Sequence, residues 1–132
     1  MNFIKAGVAY FAVVFAAGFV LGALRVLAIA PRIGEIAAVL VELPVILAVS
    51  WFACGWIVAR FLSGQGAGAL LAMGMVAFVL LMAAEASLSV FAFGRTVGEH
   101  LDTYRTASGA VGLAGQVVFA FLPLIRGKTP TP

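Results

Sequence analysis

The sequence predicts an all-α fold, a four-helix transmembrane bundle with short loops. Apolar residues make up 64% of the 132 residues and charged residues 10%, where a soluble domain holds about 45–50% and about 25%. With a mean hydropathy of +1.19, too few polar side chains are present to cover a water-facing surface. Four apolar stretches each reach the roughly 20 residues that a membrane-spanning helix needs. Short segments separate them, so sequential helices are expected to pack antiparallel. A soluble enzyme fold is excluded. The length holds one domain, residues 1–126.

The first helix is expected over about 3–29, with an uncharged run from Ala6 to Leu24. Ala28-Ile29-Ala30 mimics a cleavage site, but Pro31 follows it directly and the apolar run exceeds the usual h-region. The segment therefore reads as a retained helix. Ala30-Pro31-Arg32-Ile33 reads as a tight turn. The second helix is expected over about 34–61 and contains Pro44, which frees the carbonyl of Leu40. Ser63-Gly64-Gln65-Gly66 reads as a loop, and the third helix follows over about 67–93.

The polar segment after it has its own pattern. Thr96 and Glu99 form a T-x-x-E capping box. Val97, Leu101 and Tyr104 share one helical face. Two readings stay open: a short helix at the interface with Tyr104 at headgroup level, or an extension of the third helix. The fourth helix is expected over about 108–125. Its Pro123 frees the carbonyl of Phe119. Residues 127–132 read as a disordered tail.

Charge and cysteine usage close other doors. The net charge of +3 carries no clustered basic face, so no nucleic-acid footprint is expected. Cys54 and His100 each stand alone in the sequence. One chain therefore has no disulfide framework and no set of ligands for haem or a metal, and no cofactor is expected. No nucleophile or cofactor motif points to an enzyme. Lys5, Arg60, Arg126 and Lys128 fall on the side of the termini, and Arg25, Arg32, Arg95 and Arg105 on the other. This even count barely orients the chain, with a slight lean to cytoplasmic termini. It also permits insertion both ways and hence a homodimer. Trp51, Trp56 and Arg60 read as an aromatic belt with a snorkelling arginine.

Charges inside the membrane are the main functional signal, since each costs roughly 2.5–3.5 kcal/mol at a helix centre. Glu42 lies roughly 12 Å past Gly34, and Glu85 the same depth before Phe93, at 1.5 Å per residue. Arg25 lies roughly 6 Å in from Ile29, with a long side chain. Gln116 lies at a matching depth past Ser108. One interior layer of Arg25, Glu42, Glu85 and Gln116 is expected. Glu35 shares the face of Glu42. Gly18-x-x-x-Gly22 is a close-packing motif that should turn Arg25 inward, and Gly109 and Gly112 repeat the arrangement beside Gln116. Arg25 with Glu42 needs only a structural explanation, a bridge that fixes register. The second acid must find Arg32, take up a proton or bind a cation. A carboxyl group in hydrocarbon favours its protonated form.

The stretch Leu24-Arg25-Val26-Leu27-Ala28-Ile29-Ala30-Pro31-Arg32-Ile33-Gly34-Glu35, continuing through Val41-Glu42-Leu43-Pro44, is similar to small uncharacterised four-helix membrane proteins of bacteria. The resemblance covers mainly the first two helices. It implies a bacterial inner-membrane location and no assigned chemistry. Two functions are expected from the residues. One is a small proton- or cation-coupled transporter built on Glu42 and Glu85. The other is an accessory or assembly subunit of a larger membrane complex, its buried charges being structural. The partners expected are the lipid bilayer and either a second copy or that larger complex.

Overall fold

The computed structural model describes residues 2–128, and all of its regular structure is helical. Helix α1 (Asn2–Leu24) runs through a π-helical turn at Arg25–Ile29 into α2 (Ala30–Ile33). Then come α3 (Glu35–Phe61) and α4 (Ala67–Ser87), the latter extended by a second π turn at Leu88–Ala92. A short α5 (Val97–Thr103) and the final α6 (Ala107–Lys128) complete the chain. Four spans are long and apolar enough to cross a membrane: Asn2–Ile33, Glu35–Phe61, Ala67–Ala92 and Ala107–Arg126.

The expected turn at Ala30-Pro31-Arg32-Ile33 is helical instead. The reversal is made by Gly34 alone, at φ 91°, a left-handed conformation that favours glycine. Pro31 fits inside the helix because the chain before it is wound wide. A proline cannot donate and its ring crowds the carbonyl four residues back. The π turn, closed by the Ala30 N–H on the Arg25 carbonyl, makes room for it. At the other end, α6 runs to Lys128, two residues into the expected tail. Residues 129–132 of that tail lie outside the described residues.

Short loops do not make all sequential helices neighbours. α1 packs on α3 and α4, and α6 packs on the same two. α3 and α4, joined by the loop at Ser63-Gly64-Gln65-Gly66, therefore lie on one diagonal of the bundle. α1 and α6 lie on the other. Tyr10 spans that second diagonal. It is fully buried, its ring stacks on Phe119 at 4.3 Å, and its hydroxyl donates to the Phe119 carbonyl at 2.7 Å. This is the carbonyl that Pro123 leaves without a helical donor. One side chain thus satisfies a backbone group that would otherwise be stranded in a low-dielectric core.

The close helix approaches use other glycines than Gly18 and Gly22. A Cβ on Gly7 would meet Val76 at 2.7 Å, one on Gly74 the Ala120 carbonyl oxygen at 1.8 Å, and one on Gly115 Leu43 at 2.3 Å. Gly18 makes ordinary contact with Ile46 at 3.7 Å, and Gly22 has only the Arg25 guanidinium nearby. Gly112 has nothing within 4 Å, and Gly109 meets the Thr103 carbonyl of the preceding turn. The expected packing is corrected for Gly18, Gly22 and Gly112, which line a cavity instead, whereas Gly109 both lines it and packs closely on the Thr103 carbonyl at the end of α5.

Trp51 is likewise turned inward. Its ring lies under the guanidinium of Arg126 at 5.1 Å, and Arg126 is 8% exposed. Gly55 makes room for that guanidinium, since a Cβ there would lie 2.6 Å from Nε. Trp56, 67% exposed, keeps the outward position expected of a belt residue.

Candidate functional site: a charged cavity at one end of the bundle

The half of the bundle away from the termini opens into a cavity of about 840 Å³. Arg25, Glu35, Glu42, Glu85 and Gln116 all line it. Apolar side chains of all four spans form much of the remaining wall, with Ser89, Arg95, His100 and Tyr104 among the further polar residues, as in sites that hold a small ligand or water. Arg32 is exposed and is not part of the lining.

The first group of polar residues is centred on Arg25. Its Nη1 donates to Glu35 Oε1 at 2.8 Å, and its Nε lies 2.7 Å from Glu42 Oε2. The second contact runs off the N–H direction, so it is an ion pair rather than an aligned hydrogen bond. The continuous helix through Ile33 explains the match in height. Arg25 lies nine residues before Gly34 and Glu42 eight after it, so both sit roughly 12–13 Å from the reversal. The arginine need not reach deeper, as the shorter first helix had required. One guanidinium thus serves two carboxyl groups.

The second group is centred on Glu85 of α4. Gln116 of α6 donates its side-chain amide to Glu85 Oε1 in a short contact. The Tyr104 hydroxyl donates to Glu85 Oε2 at 3.2 Å. Among the described residues, Glu85 has no ion pair. The expected single layer is thus two hydrogen-bonded groups around one cavity, and the second acid is met by two neutral donors, not by Arg32.

Tyr104 and His100 are members that the sequence reading did not place here. The capping box forms as expected: the Thr96 hydroxyl accepts from the Glu99 N–H, and Glu99 accepts from the Thr96 N–H at 2.8 Å. That Thr96 backbone bond is the main influence holding the Glu99 carboxyl below its usual range. α5 is therefore a separate short helix, and the open alternative of a longer third helix does not hold. Gly94, at φ 69°, ends the π turn and separates the two. Val97 and Leu101 are 64% and 57% exposed, so the apolar face of α5 looks outward. Tyr104 does not share it. Tyr104 turns in, with His100 Nε2 3.1 Å from its hydroxyl. His100 is 8% exposed, and its Nδ1 is buried with no partner among the described residues. Burial first, and then the neighbouring Glu85, push the Tyr104 hydroxyl up to about 12.

The chain matches no family model, no curated protein and no solved structure. The site therefore stands on its own chemistry. Arg95 completes it. Its Nη1 donates to the buried Ser89 hydroxyl at 3.2 Å, and its guanidinium lies 5.5 Å from the Phe93 ring centre. Both groups can hold charge, and the Glu85 group can also take up a proton without breaking an ion pair. The spacing of His100 and Tyr104, four residues apart on one helix, was a readable signal for a shared polar face. It was hidden by the equally valid i, i+4, i+7 spacing of Val97, Leu101 and Tyr104.

Proposed function

We propose that the chain is a small proton- or cation-coupled transporter of a bacterial inner membrane, working from this cavity. One observation carries the reading. Glu85 lies in a helix apolar enough to span a membrane, faces a cavity of about 840 Å³, and is held by hydrogen bonds without a counter-charge among the described residues. A purely structural acid is expected to have a fixed cation, as Glu42 has in Arg25. Ionisable groups placed this way in membrane helices are typical of ion and proton pathways. The Arg25 group would then set the potential at the entrance, since Arg25 is shared between an exposed and a more buried acid.

The test is flux in proteoliposomes that enclose a pH-sensitive dye. Wild-type protein is expected to dissipate an imposed pH gradient. Glu85→Gln, nearly isosteric and still able to accept from Tyr104, is expected to insert and fold but to abolish the flux. Flux that persists unchanged in Glu85→Gln overturns the reading.

A further inference from the structure

We propose that His100 of α5 and Tyr104 at its C-terminal end form a proton relay into Glu85, which makes the proton the coupling ion of this cavity. The inference rests on the transport reading above. The geometry is a continuous line of three groups: His100 Nε2, 3.1 Å to the Tyr104 hydroxyl, 3.2 Å to Glu85 Oε2. With Tyr104 donating to the carboxylate, its oxygen is left to accept, so Nε2 must carry a hydrogen. Nδ1, buried and without a protein partner among the described residues, is the ring atom left to exchange with water.

Each step balances. An imidazolium at His100 gives its Nε2 proton to the Tyr104 oxygen while the Tyr104 hydroxyl proton passes to Glu85 Oε2. One N–H and one O–H bond break, and two O–H bonds form. The products are a neutral His100 protonated on Nδ1, an intact phenol and a neutral Glu85 carboxyl. Turnover follows when Glu85 releases its proton into the cavity, the hydroxyl turns back, the ring exchanges through water from its Nδ1–H form to its Nε2–H form, and the freed Nδ1 then takes up another proton from water. A hydroxyl that stays neutral at ordinary pH suits this shuttle, because it passes protons without ionising.

The charged surroundings fit a proton. Facing the relay are Glu85 from α4, Gln116 from α6 and Arg95 on Ser89, with the Arg25 group across the cavity. Both oxygens of Glu85 are held by neutral donors, whereas a metal ion requires further oxygen acceptors around it. α5 lies outside the four spans, so the relay links an acid inside the bundle to the interface.

The experiment compares proton flux in proteoliposomes for wild type, Tyr104→Phe, His100→Ala and Val97→Ala. Tyr104→Phe keeps the ring and removes the shuttling hydroxyl. It is expected to slow flux by at least about a hundredfold, the lower end of what a positioned acid–base group contributes. His100→Ala is expected to slow it similarly, and free imidazole in the buffer is expected to restore it. Val97→Ala, on the outward face of the same helix, is expected to keep full flux. Wild-type flux in Tyr104→Phe, with Glu85→Gln inactive, overturns the relay and leaves the transport reading standing. Equal loss in Val97→Ala also overturns it, since α5 would then act only as a support. Absence of flux in correctly inserted wild-type protein overturns both. If His100→Ala does not fold, Tyr104→Phe decides alone.

Discussion

Arg25 and Glu85 differ in what they lose when a partner is removed. Arg25 serves two carboxylates at 2.8 and 2.7 Å, and its side chain is 25% exposed. Removing it strands two acids. Breaking a fully buried pair costs about 3–5 kcal/mol, and partial exposure brings Arg25→Ala below that range, to about 2–3 kcal/mol. Glu85→Gln keeps its neighbours and is expected to cost under about 1 kcal/mol, close to the net worth of one hydrogen bond. Thermal unfolding in detergent checks the contrast, and equal losses would refute it. Tyr104 offers a spectroscopic check. In a Tyr10→Phe background it is the remaining tyrosine, so absorbance near 295 nm reads it alone. It is expected to ionise near 12 rather than near 10. A raised value means the folded state favours the neutral phenol. That contribution is whole below the ordinary value and is lost as pH rises through about 12. Glu85→Gln should bring the midpoint down, because Glu85 is one of its causes. No change would remove Glu85 from the contact.

At the scale of the helices, the decisive features are glycines and prolines that set approach and winding. Gly74→Ala would place a methyl 1.8 Å from the Ala120 carbonyl oxygen and is expected to cost several °C in unfolding midpoint. Gly112→Ala meets open space and is expected to be neutral or stabilising by up to about 1 kcal/mol, the helix-propensity gain. The reverse order would contradict the observed packing. Tyr10→Phe strands the Phe119 carbonyl and should cost about 1–3 kcal/mol. In a Pro123→Ala background the restored N–H can serve that carbonyl, so the same change should cost less. A double-mutant cycle reads the difference, and perfect additivity would deny the coupling. The four spans and the capping box were legible because hydropathy and capping are local properties. The freed carbonyl of Phe119 was legible too, but its donor was not, since Tyr10 lies 109 residues away. Gly18-x-x-x-Gly22 misled because the motif marks where backbones can approach, not which glycines a partner helix reaches. The helical Pro31 could not be read locally, because a wider turn upstream removes its clash.

For the whole molecule, the even distribution of Lys and Arg leaves insertion weakly directed, and the acids gather toward the end opposite the termini. Reporter fusions after Ile125 and at Ala107 are expected to place the first in the cytoplasm and the second outside it, with a cytoplasmic signal at Ala107 alone reversing the orientation. The candidate site was legible as far as depth along each helix could take it, which brought Arg25, Glu42, Glu85 and Gln116 toward one end. Depth does not say which side chains meet. The π turn that carries Arg25 packs on α3, which carries Glu42, so those two meet, while Gln116 of α6 reaches Glu85 of α4. The inward turn of α5 then adds Tyr104 and His100 to the second group. Glu85 as a proton or cation site with no ion-pair partner among the described residues is the claim on which the function depends. Its most direct test is the transient current recorded when proteoliposomes on a solid-supported electrode meet a step in pH at constant salt. A current is expected in wild type that disappears in Glu85→Gln while Val97→Ala keeps it. A current of equal size in Glu85→Gln, or none from correctly inserted wild-type protein, would contradict that claim.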